Sequence, residues 1–364
     1  MTVTTTDHPR ACIRVEDRRA GEVPPGRVVG LDGARARLGP LADRVAALYH
    51  VGDPSWRSDD ASAIDPPAWL DVARCERAGL TLRRFGILTV IVLRDFALPM
   101  SYQAPAGVEP LIRSGKLVEH AGPRLYRTAE YVIGAMQPGA MRPGAAHWKT
   151  AARIRGIHQR AREGMLAAGW KVEDGSPLPQ PDLAATALLF GPVTIEGLRR
   201  LGAPITEAEA DDVAHFARVL AHGQGVLPEL QADTHAEGLA LFDALTALNG
   251  PTNDDGRTLM QALLDIPYTL SESWAERLVA PILRSLHSSV AAHLLGDRAH
   301  DFGITAPTWA GAALRPLARS LISHRALAPI HDMAIASVLR RGRARRGQAS
   351  ASATGGVGEL RRAA

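Results

Sequence analysis

The stretch HWKTAARIRGIHQRAREGMLAAG, residues 147–169, decides how the rest of the chain is read. Ile154, Ile157, Ala161, Met165 and Ala168 recur at intervals of three and four, which predicts an amphipathic helix with one buried stripe. His158 falls inside that stripe. Arg155 and Arg162, three before and four after it, border the same face. An imidazole among apolar neighbours is favoured as the neutral form, whose lone pair serves a metal or a hydrogen-bond donor. Flanking guanidinium groups suit a bound dianion. A core histidine bonded to a carbonyl, beside a solvated arginine face, accounts for the same pattern, and both readings stand on this helix alone.

The preceding segment, RLYRTAEYVIGAM at residues 124–136, reads as a second helix. Leu125, Thr128, Ala129, Val132 and Met136 form its expected inner stripe, with Arg124 and Arg127 on the adjoining edge. Between the two helices, QPGAMRPGAA (137–146) is turn-rich and folds one helix back beside the other, which brings Thr128 towards His158. Facing helices of a bundle build cofactor sites in this way.

Outward from this pair the chain is dominated by alanine, leucine and arginine, is 46% hydrophobic and only 5% aromatic, and is long enough at 364 residues for a large core. Helices are expected over Leu31–Val51, from Pro66 to Ala78 with Gly79 as the stop, and as a buried element through Thr81–Leu98. Further helices are expected after the capping pairs Thr206/Glu209 and Thr234/Glu237, and around 257–265, 274–295 and 310–339. His215 and His222, seven apart, face the same way on the helix that Thr206 opens. The fold class is therefore mostly α. One large helical domain spans 30–339, preceded by an arm over 1–29 and followed by a basic, low-complexity tail over 340–364.

The net charge of +4 comes from that tail, because residues 339–364 carry seven arginines and one glutamate, leaving 35 basic and 37 acidic residues before them. A near-neutral body lacks the basic stripe that nucleic-acid binding needs. Two cysteines, Cys12 and Cys75, make no disulfide framework. The N-terminus has no apolar signal core, and the run Phe85–Leu93 is about half the length of a bilayer span. A cytoplasmic protein with no membrane span is expected; oligomeric state is not readable.

No HExxH, CxxC, Walker or GxSxG motif is present. The chain does resemble the latex-clearing protein (rubber oxygenase) family and the related oxygenase catalytic domains of the mycophenolic acid pathway. The resemblance runs from Gly52-Asp53-Pro54 through Arg124 and Thr128 to RIRGIHQRAR (153–162) and DDVAHFARVLAHGQGV (211–226), with thirty residues separating Thr128 from His158. It implies a globin-like helical core around haem b and an O2-dependent (or peroxide-using) oxidoreductase, an oxygenase. His158 would be the proximal iron ligand, with Arg155 and Arg162 beside the haem or supporting that histidine. Arg124, Arg127 and Thr128 would form the distal side. Arg127 stands where some rubber oxygenases carry a lysine ligand, and a guanidinium is a very poor ligand, which leaves the sixth position open. The family's proposed base, a glutamate, has its nearest counterpart here in Glu109, one residue out of register. The expected substrate is an apolar small molecule. The rival reading is a non-catalytic helical interaction protein with His158 as a structural core residue.

Overall fold

The computed structural model describes residues 28, 30–39, 41–53, 64–104, 107–108, 121–171, 175–269, 271, 273–313 and 316. Every regular element among them is helical. The expected first helix is divided into α1 (Leu31–Leu38) and α2 (Leu41–Ala47), because Gly39 takes a φ of +57° ahead of Pro40. A single 3-10 turn then leads to Val51.

α3 (Val72–Arg84) is capped by the Asp71 carboxylate, which accepts the Arg74 N–H. It runs through Gly79, so the expected stop at that residue is corrected. Gly79 serves close packing instead: a Cβ there would lie 2.6 Å from the Met136 carbonyl oxygen. The chain breaks about two turns further on, at Gly86, which has a φ of +40°.

The apolar run that follows is helical, as its length suggests: α4 (Ile87–Val92), a π-helical turn (Leu93–Ala97) and α5 (Leu98–Ser101). Pro99 has no N–H, and its ring crowds the carbonyl four residues back, so the helix widens there. The wide turn holds fully buried Asp95 between Arg94 and His287, whose Nδ1 lies 2.6 Å from Asp95 Oδ2.

α6 (Ala121–Ala135) and α7 (Ala146–Ala167) are the two helices of the candidate site. Then come α8 (Gln180–Leu189), α9 (Pro192–Arg200), α10 (Glu207–Gly223) and α11 (His235–Asn249). After them stand α12 (Asp254–Leu264), the single turn α13 (Ile266–Thr269) and α14 (Trp274–Leu295).

α10 is the axis of the molecule. Thr206 and Glu209 form the full capping box at its start, and Val213, Phe216, Ala217 and Leu220 are buried as their spacing predicts. α3 and α8 pack along it, and α7 crosses its far end, where Gly223 approaches Ala151. α11 opens on Thr234, though the Glu237 carboxylate reaches back to the Asp233 N–H rather than to that of Thr234. Most of the helix expected over 310–339, the arm and the basic tail lie outside the described residues.

Candidate active site

The helix over residues 146–167 is present, but its buried face is not the one the periodicity indicates. Trp148, Ala151, Ala152, Gly156 and Arg162 are buried; Ile157 is 50% exposed, and Ala161 and Ala168 are exposed. Small residues face inward because α7 lies close against its neighbours, as at Ala151 and Gly223. Ile154, Met165 and His158 are half-buried, so the histidine stands at the margin of the packed face.

Arg155 and Arg162 take part in the packing rather than bordering it. Arg155 makes a two-point contact with Asp53, Nε to Oδ2 at 2.5 Å and Nη2 to Oδ1 at 2.7 Å, and the carboxylate is 1% exposed. Arg162 donates from Nε and Nη2 to the Leu178 carbonyl at 3.2 and 3.0 Å, and from Nη1 to the Gln159 side chain. Leu178 is the non-glycine residue of positive φ (52°) among the described residues, a strained conformation held by its surroundings.

Two glycines make room for these guanidinium groups. A Cβ on Gly225 would lie 2.5 Å from Arg155 Nη2, and one on Gly52 would lie 2.8 Å from Arg162 Nε. Gln180, fully buried, ties the two glycine loops together. Its Nε2 donates to the carbonyls of Gly52 and Gly225, and its Oε1 accepts the Leu227 N–H. Three separated segments, at residues 52–53, 178–180 and 225–227, therefore converge on one side of α7 and fix the rotation at which His158 is presented.

On α6, Thr128 is half-buried and Arg127 is exposed. Arg124 belongs to the helix, but its side chain, like all of Glu109, lies outside the described residues. α6 and α7 meet through Tyr131 and His147, whose rings stack at 4.9 Å, and Gln224, just past the end of α10, donates to the Tyr131 hydroxyl. Burial lowers His147 to about 4, so it is neutral at pH 7. Thr128 lies three residues from this contact and His158 eleven, so the threonine sits near the stacked pair and the histidine well beyond it along α7.

The other candidates have structural duties. His215 Nε2 accepts the Asp71 N–H at 3.1 Å, so its proton is on Nδ1, facing Asp233 Oδ1 at 2.8 Å. Arg74 and Arg77 complete that cluster through Asp212 and Asp233. His222 donates from Nε2 to the Asp65 carbonyl, and burial lowers its pKa. Burial pushes the Cys75 thiol up to about 12, so it is protonated at neutral pH.

The family model described as "ER-bound oxygenase mpaB/B'/Rubber oxygenase, catalytic domain" matches residues 81–326, some two-thirds of the chain. The chain belongs to that family. Its fold is similar to a solved structure titled "Structure of Latex Clearing Protein LCP in the closed state", with a TM-score of 0.57 and 18% identity over 78% of this chain and 76% of that one. No curated protein sequence matches. The globin-like helical core expected from the sequence resemblance agrees with this fold. Asp53, Gln180, Gly225 and the Tyr131–His147 pair are the residues that sequence reasoning did not single out for a role. The signal for Asp53 was present in the Gly52-Asp53-Pro54 match, without a partner to give it meaning.

Proposed function

We propose that this protein is a haem b-dependent oxygenase that transfers oxygen from O2 to an apolar small molecule, with His158 as the iron ligand. The observation that carries the reading is the presentation of His158: a half-buried imidazole on a helix whose rotation is fixed by two arginines anchored to distant loops. Among the described residues no three His, Cys, Asp or Glu side chains converge on a metal position. A half-buried imidazole at the margin of the packed face is the kind of donor that holds a porphyrin iron, and it fits that group.

When bound, haem would supply the iron centre at which O2 is activated. His158 would hold it through one ring nitrogen. Arg155 would act one layer out: paired with Asp53, it keeps α7 in register and adds no net charge beside the imidazole. Thr128 would offer a hydroxyl donor on the facing helix, and Arg127, a guanidinium, would be a very poor iron ligand. The apolar flank of α7, with Ile154 and Met165 on the histidine's side, suits an apolar substrate. A cytoplasmic setting, O2 rather than peroxide, and the roles of Arg124 and Arg162 belong to the same proposal.

The test is the absorption spectrum of protein produced with adequate haem supply. A Soret band is expected in the parent chain and should vanish or shift in His158→Ala, while the far-ultraviolet dichroism is retained. A colourless parent chain refutes the haem reading and leaves His158 as a structural residue of a non-catalytic protein.

A further inference from the structure

α12, α13, the middle of α14 and the loop 303–306 line a cavity of about 420 Å³ to which neither α6 nor α7 contributes. Its size falls in the range of about 300–1,000 Å³ that small-molecule sites occupy. Leu264 and Ile304, both buried, give it an apolar side, and Gln261, Arg284, Ser285 and Ser288 give it a polar one. Arg284 is held in place: its Nε donates to Asp265 Oδ1 at 2.6 Å and its Nη2 to Gln261 Oε1 at 2.9 Å. Arg284 Nη1, Gln261 Nε2 and the two serine hydroxyls have no partner among the described residues. The cavity therefore offers a surplus of hydrogen-bond donors, while the charge of its guanidinium is already offset by Asp265.

On α14 this cavity adjoins an apolar strip that nothing among the described residues covers. Trp274 is 76% exposed, and Leu278 and Ile282 are each 67% exposed. They follow one another at intervals of four, and Ser285 comes three residues after Ile282 and seven after Leu278. The strip and the cavity wall are thus neighbouring faces of one helix, meeting at Ser285. The start of the helix is well fixed, since Ser273 and Glu276 form a full capping box. By length and composition Trp274–Phe302 would pass for a membrane span, but Val290, Ala291, Leu294 and Leu295 are buried in the core and exclude that role. A donor-rich cavity that opens beside an exposed apolar strip has the outline of a molecule with a polar head and one apolar chain.

We propose that the cavity between α12 and α14 binds an uncharged single-chain amphiphile, an acyl ester of a polyol, with its oxygen-rich head on Gln261, Arg284, Ser285 and Ser288 and its chain along Leu278, Ile282 and Trp274. Ester and hydroxyl oxygens accept what these groups donate. A carboxylate head would meet Asp265 as a like charge beside a guanidinium that is already paired. A second copy on the same face would cover the apolar strip, but its symmetric contact would set like donors against one another and leave both cavities unfilled. The site uses no residue of the α6–α7 pair and is independent of the haem reading.

The test is titration calorimetry of the full chain with monolauroylglycerol below its micellar concentration, with laurate and glycerol as comparisons. Laurate keeps the chain and exchanges the head for a carboxylate; glycerol keeps the head alone. Two double variants are compared, Ser285→Ala with Ser288→Ala for the head and Leu278→Glu with Ile282→Glu for the chain, and retained thermal stability checks that both fold. Saturable binding of monolauroylglycerol, at least about tenfold tighter than that of laurate and weakened at least about tenfold in each variant, supports the proposal. So does its persistence in His158→Ala, which separates this site from the candidate active site. No binding, laurate bound as well as the ester, or affinity unaltered by the serine substitutions overturns it. A dimer in ligand-free solution that the two glutamates dissociate also overturns it, because a second copy then owns the strip. Binding lost in His158→Ala and kept in both α14 variants overturns it by placing the ester elsewhere.

Discussion

The contact between Asp53 and Arg155 is expected to be the most sensitive point of the site. In Asp53→Ala the Arg155 side chain, 11% exposed, loses both bonds of its two-point contact with the Asp53 carboxylate. Removing one partner of a buried pair costs about 3–5 kcal/mol, most of it the penalty of leaving the other charge desolvated. For roughly 300 cooperatively unfolding residues the unfolding entropy is about 0.6 kcal/mol per degree, so the loss corresponds to a Tm lower by about 5–8 °C. Urea denaturation monitored by far-ultraviolet dichroism measures it directly. Arg155→Met removes the charge with much of the chain volume kept, so the double variant should recover part of the loss. The expected coupling is about 1.5–3 kcal/mol. If haem binds at His158, Asp53→Ala should also weaken its retention, because α7 loses the anchor that sets its rotation. A cost under about 1 kcal/mol, with the two substitutions additive, would refute the view that this pair positions α7.

Other consequences follow from the same geometry. Gly225→Ala places a methyl 2.5 Å from Arg155 at a φ of +76°, so it should destabilise by more than about 2 kcal/mol, and thermal unfolding reports it. For His147, the folded pKa of about 4 lies below the unfolded value near 6.5, so its contribution is complete above pH 6.5, declines as pH falls, and is gone below about pH 4. The whole swing is on the order of 3 kcal/mol. Unfolding free energies at pH 7 and pH 5 should differ less in His147→Phe than in the parent chain; an unchanged difference would show that His147 does not titrate on unfolding. Tyr131→Phe keeps the stacked ring but removes the acceptor for Gln224 Nε2, at an expected cost of about 1 kcal/mol in the same assay.

What the sequence by itself determined was local. Helix starts were legible wherever a side chain satisfies the first free N–H groups, as Thr206 and Glu209 do, and the apolar spacing of α10 was correct because that helix is surrounded by protein. The fold class was also legible, from spacing and from family resemblance. The rotation of α7 was not. Its inner face is built from alanine and glycine that allow close backbone approach, and from Arg155 and Arg162, which periodicity scores as solvent-facing. They are inside because Asp53, 102 residues away, and the Leu178 carbonyl neutralise or satisfy them there. A charged side chain is buried only when a partner is brought to it, and bringing partners from distant parts of the chain is the work of the tertiary fold. The same holds for Gly79, which reads as a helix stop but is required where another segment comes within van der Waals distance. Chain order fixed the helices; only their packing decided which side of α7 faces the core and left His158 at its edge.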